Sequence, residues 1–420
     1  MAVDFFNYTL YAIRCTLKFI MSKQFLFTVF SLVLIGVIAG GAIFLAKGYR
    51  YQTDTGTFSG TGIISVTSLP DQASVYLDGH LTTATDDNIT SLPPKNYKVR
   101  IVKEGYIPWE KDIEVSQGLV SEIKATLYRS IPTIYPITYS GVDYAVLSPD
   151  NLKLMYIIPN GLEGGLAAER RSGIWVWVMS SQNGIGIGTG DQQRQIVQSN
   201  GVDYSQAKYR WSPDSSQIFV DLPDRKLLLD TNGLNDVPRD ITANYQATLK
   251  SWDLTESQTR LTKLSQIENV ELRKTASDSA FLKWSPDETK ILYSDKEGNF
   301  KLNDLSLFKQ FDLPKASSYS FLPDSKHLIM VERESEPNVK NQLSGSPKPS
   351  PSGNLTIKEQ FAQSRISIIE TDGTNRAEIY YGSVEPNVVV AWPDNSRLVV
   401  ISSFPTQTAS QPNLYGINLK

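Results

Sequence analysis

Cysteine is almost missing: the chain has 420 residues and one cysteine, Cys15. No disulfide framework is possible, so packing and hydrogen bonds must hold the fold. Histidine is nearly as scarce, with only His80 and His327. Two imidazoles argue against a His-rich metal site and against a Ser-His-Asp engine, since both chemistries put histidine at the reacting atoms. A basic excess is missing too. The net charge is −3; the first 50 residues hold Arg14, Lys18, Lys23, Lys47 and Arg50 against Asp4, which leaves −7 on the remainder. Nucleic-acid surfaces need clustered lysine and arginine, so no nucleic-acid partner is expected.

Charge is also missing from one long stretch. Phe25 to Ala46 runs 22 residues without an ionisable side chain. About 20 apolar residues span a hydrocarbon core of ~30 Å, and a helix satisfies its own backbone there. Lys23 and Lys47 bracket the run and can reach the headgroups. A single-pass anchor is therefore expected over residues 25–46, with the lipid bilayer as partner. A cleaved signal peptide is the rival, since Ala39 and Gly41 are small enough for a cleavage site, although the apolar run continues through Leu45. Phe6, Leu10, Ile13, Leu17 and Ile20 form one helical stripe beside Arg14 and Lys18. That segment either lies on the membrane surface or extends the spanning helix. Three basic residues before the helix against two after it favour a cytoplasmic N-terminus. Cys15 is no lipoprotein cysteine, because Arg14 stands where that motif needs a small residue.

After a polar stretch at 51–60, short strands and turns follow. Ile63–Val66, Ala73–Leu77, Tyr97–Val102, Ile113–Val115 and Ile123–Leu127 are strand-like, and Asp78-Gly79 is a strong hairpin signal. Ser65 to Ala73, Val75-Tyr76-Leu77-Asp78-Gly79, Leu92-Pro93, Tyr97 and Gly105-Tyr106 together resemble the PEGA domain family. The signature reads Pro-Asp-Gln-Ala here, and the usual Gly-x-Thr-Pro segment has become Thr82-Thr83-Ala84-Thr85. The resemblance implies a small β-sandwich of a kind common in cell-envelope proteins, and carries no ligand with it.

The remainder repeats. LSPDNLKLMY (147–156), WSPDSSQIFV (211–220), WSPDETKILY (284–293), FLPDSKHLIM (321–330) and AWPDNSRLVV (391–400) align on a Pro-Asp pair. Four residues after each Pro stands Lys153, Gln217, Lys290, His327 or Arg397, then three apolar residues. Proline fixes φ and aspartate can bond the following amides, so the pair sets a tight turn. The apolar triplet suits a strand covered on both faces, as stacked propeller blades cover theirs. Second hairpins fit at 174–179, 226–230, 248–254, 300–305 and 366–380. TLKSWDL (248–254) has no Pro-Asp turn of its own and suggests a degenerate sixth blade, while residues 130–140 can supply a closing strand. These repeats resemble the TolB-type and WD-related propeller families, which implies a propeller used for protein binding or envelope organisation and transfers no catalytic residue.

Other residues have plain explanations. Trp175 and Trp177 alternate on one strand and fit core packing better than a stacking platform; Trp211 and Trp284 precede the turn and are structural. GIGIGTG (184–190) lacks the phase and the lysine of a phosphate loop, and Asp86-Asp87-Asn88 lacks calcium-loop spacing. Residues 335–354 form a Pro/Ser-rich insertion expected to be disordered.

The expected organisation is mainly β: an N-terminal segment (1–24), a transmembrane helix (25–46), a linker (47–60), a PEGA-like β-domain (61–129) and a propeller of about six blades, with five or seven as alternatives, over 130–420 with a disordered insertion at 335–360. The expected function is a single-pass cell-membrane protein, its bulk extracytoplasmic, presenting propeller loops to a protein or glycan partner. Alternatives are a propeller hydrolase or lyase acting on envelope polysaccharide, and a structural spacer or assembly subunit. No enzyme activity, cofactor, metal ligand or catalytic residue is expected, and the sequence marks no binding residue.

Overall fold

A computed structural model describes residues 23–46, 49–52, 57–160, 166–179, 192–334, 362–403 and 411–420. The chain forms two units: Met1–Glu104 with Pro108–Leu127, and Gly105–Ile107 with Tyr128–Lys420.

In the first unit, helix α1 spans Lys23–Ala46. Its stretch Phe25–Phe44 is long and apolar enough to cross a membrane or to serve as a signal sequence, and none of it is buried. The stripe from Phe6 to Ile20, with Arg14, Cys15 and Lys18, lies outside the described residues. The expected linker 47–60 is not wholly irregular, because Tyr49–Gln52 pairs antiparallel with Thr57–Gly60. Tyr49, Tyr51 and Phe58 are β-formers, and their preference outweighs the polar composition around them.

The β-domain has seven strands, the five read from the sequence and two more, His80–Ala84 and Asp87–Leu92. One sheet orders Asp87–Leu92, Gly62–Leu69 and Val120–Thr126; the other orders His80–Ala84, Ser74–Leu77, Lys95–Val102 and Trp109–Val115. Burial alternates along Gly62–Leu69 and Lys95–Val102, leaving Ile64, Val66, Val99 and Ile101 fully buried. One buried face per sheet is what a two-layer sandwich requires. Asp78 and Gly79 both have positive φ, 48° and 84°, as the tight hairpin turn demands. The altered Thr85 is structural: its hydroxyl oxygen accepts from the Ala73 amide at 2.8 Å. Asp87 begins a strand and accepts from the Asn88 amide and the Thr83 hydroxyl.

The second unit contains all five Pro-Asp hairpins. Three lie in separate four-stranded sheets, which begin with Tyr144–Leu147, Lys208–Trp211 and Leu282–Trp284. The last two share a seven-stranded sheet, fused by the 15-residue strand Ala377–Ala391. That strand pairs outward with Ala362–Glu370 and then, past a register break between Val384 and Val389, with Arg397–Ser402. Ile134–Pro136 pairs with Asn413–Asn418 and gives the last repeat its fourth strand, as residues 130–140 predicted. All fifteen residues of the apolar triplets are buried, none more than 5 % exposed.

Each turn is built alike. The residue after the aspartate is left-handed: Asn151, Ser215, Glu288, Ser325 and Asn395 have φ of 58–59°. The next amide donates to the aspartate Oδ1 at 2.8–3.1 Å in all five. In three turns a serine (Ser148, Ser212, Ser285) also donates to that oxygen at 2.5–2.6 Å. The same serine oxygen accepts the amide that starts the buried strand, at 2.9 Å.

The expected strand at 248–254 is helical, which removes the support for a sixth β-unit. After the short helix α2 (Leu166–Arg171), helix α3 spans Tyr245–Ser265 and α4 spans Val270–Asp278. Tyr245, Leu249 and Trp252 recur at steps of four and three, a helical period that outweighs the local alternation of TLKSWDL. All three pack on Phe219 and Leu228 of the second repeat. Leu264 of α3 and Ala276 of α4 pack on Ile291 and Tyr293 of the third. Further apolar clusters join the first repeat to the second, the third to the fourth, the fourth to the fifth and the fifth to the first.

If the carboxylate sets the turn, Asp214→Ala should cost about 1–2 kcal/mol, the worth of a lost cap-like set of bonds. Urea unfolding should show a lower midpoint at unchanged slope, with Asp236→Ala on an exposed loop shifting it by less than about 0.5 kcal/mol.

Candidate functional site

The end of the repeats that carries the Pro-Asp turns uses its aspartates in its own structure. Its five aspartates are turn ligands. The Asp150 amide donates to the Ser215 hydroxyl oxygen of the next repeat at 3.2 Å, and the Asp287 amide to Ser325 at 3.0 Å. His327 is buried, with Nδ1 2.7 Å from the Asp324 carboxylate and its ring edge-on to Tyr128. Burial alone would push the Asp324 carboxyl up, but the His327 contact and two amides hold it below its ordinary value. This histidine completes a turn in the place of the serines. His80 is exposed on a hairpin strand of the other unit. Among the described residues no group of three His, Cys, Asp or Glu could hold a metal ion.

The tryptophans are packing residues. Trp177 lies 4.7 Å from Trp392, and the Arg397 guanidinium covers Trp392 at 3.8 Å. Trp175 stacks on Tyr156 and donates its indole N–H to the Arg171 carbonyl. Trp211 is buried and Trp284 half-buried, both beside the turns. GIGIGTG and residues 335–360 lie outside the described residues.

The opposite end differs. There the first strands of the repeats begin, and ionisable and aromatic groups gather with less internal use. Tyr144 is 39 % exposed and stacks on Tyr209, ring centres 5.5 Å apart. The Tyr209 hydroxyl donates to the Tyr204 carbonyl. Burial pushes the Asp143 carboxyl up; the Ser205 hydroxyl donates to it and partly offsets this, while Asp203 adds to the rise. Burial also pushes Glu385 up against two bonds from Asn387 and the nearby charge of Arg333. Burial and the Glu385 carboxylate together raise Tyr144. Asp143 precedes the first strand of the first repeat, and Glu385 lies at the register break of the strand Ala377–Ala391 that the fifth repeat shares. The two strands meet in the apolar cluster of Ala145, Val388 and Val390.

The same end opens into a groove of about 250 Å³, lined by residues including Asn200, Tyr204, Arg225, Leu234, Val237 and Asp240. Val202 to Tyr209 therefore runs from the groove to the Tyr144 ring. Sequence reasoning singled out none of these residues. The repeat alignment held one signal: Tyr144 and Tyr209 stand five and four residues before their prolines, at the start of a short strand. Arg225 and Asp240 had none, because their convergence depends on the pairing of Leu227 with Asp240 inside the second repeat.

Residues 61–131 match the PEGA domain model, so the chain carries a PEGA domain. A search among curated proteins finds no match. Among solved structures the chain is similar to Pyrococcus horikoshii acylaminoacyl peptidase, at 13 % identity and TM-score 0.23 over 49 % of this chain and 26 % of that one. It is also similar to the β-propeller domain of the trilobed protease from Pyrococcus furiosus, at 14 % identity and TM-score 0.22 over 67 % of this chain and 70 % of that one. For TolB from Acinetobacter baumannii the values are 12 % and 0.19, over 78 % and 61 %. The chain thus spans about a quarter of the peptidase's length. Likenesses this slight carry no argument about activity, and the propeller-like reading stands on the chain's own five repeats.

A raised carboxyl costs stability when ionised. The Glu385 penalty is full above its raised folded pKa and vanishes below the unfolded value of 4.5. Glu385→Gln, which keeps an acceptor for Asn387, should therefore stabilise the protein at pH 7. The gain over the natural chain should shrink to nothing as pH falls to 4.5. Denaturation across that range checks it, and a gain independent of pH would refute the burial argument.

Proposed function

We propose that the chain is a single-pass cell-envelope protein, anchored through residues 25–46 with its bulk outside the cytoplasm, and that it presents a propeller to a protein or glycan partner without catalysing a reaction. In this reading the five β-repeats and helices α3 and α4 form one ring, the helices standing where a sixth β-unit would. The observation that carries the proposal is the contrast between the two ends of the repeats. At one end the aspartates bind their own turns. At the other an exposed Tyr144 and an open groove are accessible for contact, beside two carboxyls that burial raises. The unburied apolar helix supports the anchor, and the PEGA domain fits a spacer between bilayer and propeller.

A second reading, a polysaccharide hydrolase, draws on the raised Asp143 and Glu385 carboxyls, since glycosidases hold one carboxyl protonated as the acid. Release of reducing ends from envelope polysaccharide by the purified chain, abolished in Glu385→Gln, would establish it; no release supports the binder.

For the anchor, the full chain should stay with membranes through alkaline carbonate and leave only in detergent. A chain lacking residues 25–44 should be soluble. A mature mass lacking the N-terminal segment and α1 would mean a signal sequence instead. In intact cells, added protease should reach the propeller, and crosslinking should capture a saturable partner. Protection until lysis sinks the outside placement; no partner favours the spacer.

A further inference from the structure

The proposed function leaves the partner's chemical class open, and the groove beside Arg225 narrows it; the inference below rests on that reading. At about 250 Å³ the groove falls below the ~300–1,000 Å³ of clefts for drug-sized ligands. It suits one small ring rather than a nucleotide or a folded loop.

Its polar equipment is mixed. Arg225 Nε is buried and has no hydrogen-bond partner among the described residues. The Asp224 carboxylate stands 3.7 Å from it, an ion-pair distance too long for a hydrogen bond. The Arg225 side chain as a whole is 41 % exposed and lines the groove, so its guanidinium favours a ligand that brings an acceptor. Asp236 and Asp240 line the same groove and outnumber the guanidinium, so an anion gains little there. A cation meets Arg225 itself. The amide and hydroxyl of Thr242 hold Asp240 ionised, so it remains an acceptor. Asn200 is exposed and adds an amide that both donates and accepts. Beside these groups, Leu234 and Val237 show 49 % and 88 % of their surface to solvent.

Alcohol hydroxyls fit this set, because each donates to a carboxylate while accepting from a guanidinium or amide, and a sugar ring adds C–H faces for apolar side chains. We propose that the groove binds one ring of a neutral glycan, with Arg225 and Asn200 donating to its hydroxyl oxygens, Asp240 accepting from its hydroxyls, and Val237 and Leu234 against its C–H face.

The test uses the full chain in detergent micelles over immobilised maltohexaose, cellohexaose, chitohexaose, an acidic oligogalacturonate hexamer and hexalysine. At least one neutral hexasaccharide should bind, and Arg225→Met should weaken it about tenfold or more, the loss of a charged hydrogen-bond donor. Asn200→Gly should weaken it several-fold; glycine suits its φ of 43°, so this variant carries the test if Arg225→Met melts early. Lys326→Ala, exposed on a Pro-Asp turn at the other end, should leave binding unchanged. Neutral binding indifferent to Arg225→Met and Asn200→Gly overturns the site, as does preference for the acidic hexamer or hexalysine. If no saccharide binds while crosslinking captures a saturable protein, the glycan inference falls and the binder reading stands. If neither occurs, both fall.

Discussion

One bond recurs through the propeller-like unit and decides its layout: the aspartate carboxylate accepting the amide two residues on, around a left-handed residue. Four of the five left-handed positions hold asparagine or serine, and one holds glutamate. Such a conformation is unfavourable for an L-residue by about 1–2 kcal/mol, and the carboxylate's bonds, each worth about 1 kcal/mol net, offset it. The consequence is register. A one-residue slip would turn every buried side chain of the following strand to the wrong face. With the turn fixed, the apolar triplet lands between two packed neighbours each time. For Met155 and Leu154, on opposite faces of one strand, both neighbours are repeats. For the triplets of the second and third repeats, one neighbour is a repeat and the other is helix.

Register alone does not close the gap between the second and third repeats. There the chain uses helix α3 in place of a sheet. Trp252 and Leu249 present one apolar stripe to the second repeat, and Leu264 serves the third from the far end of the same helix. A helix can do this because its apolar side chains return every three to four residues and so cover neighbours along its whole length. Between the fourth and fifth repeats the solution is opposite. One long strand belongs to both, and its break after Val384 places Glu385 and Asn387 where the pairing lapses.

These differences explain what the sequence could tell. The Pro-Asp turns and their apolar triplets were legible because each depends on neighbours within about ten residues. The strand at Ile134–Pro136, which pairs with Asn413–Asn418, was legible because the repeat pattern left the last unit one strand short. TLKSWDL misled because seven residues hold too few turns to separate helix from strand; the stripe needs Tyr245, outside that window. Two β-domain strands, His80–Ala84 and Asp87–Leu92, escaped because they carry little apolar patterning, with burial mainly at Ile89. The Tyr144 pair left only its spacing before two prolines in the sequence, and the Arg225 groove left no signal. Their members come from different repeats, and only the packing of one repeat on the next brings them together.

The same packing separates structure from chemistry. Asp214 caps its turn and is held ionised and occupied by the Ser212 hydroxyl, with little left for a ligand. Glu385 also accepts the amide two residues on, from Asn387, yet burial outweighs that bond and raises it. Burial raises Asp143 against its bond from Ser205 in the same way. Asp214, Asp287 and Asp324 are thus lowered at their turns, whereas Asp143 and Glu385 are raised where burial outweighs their hydrogen bonds. The groove that opens beside Arg225 is where a partner has room.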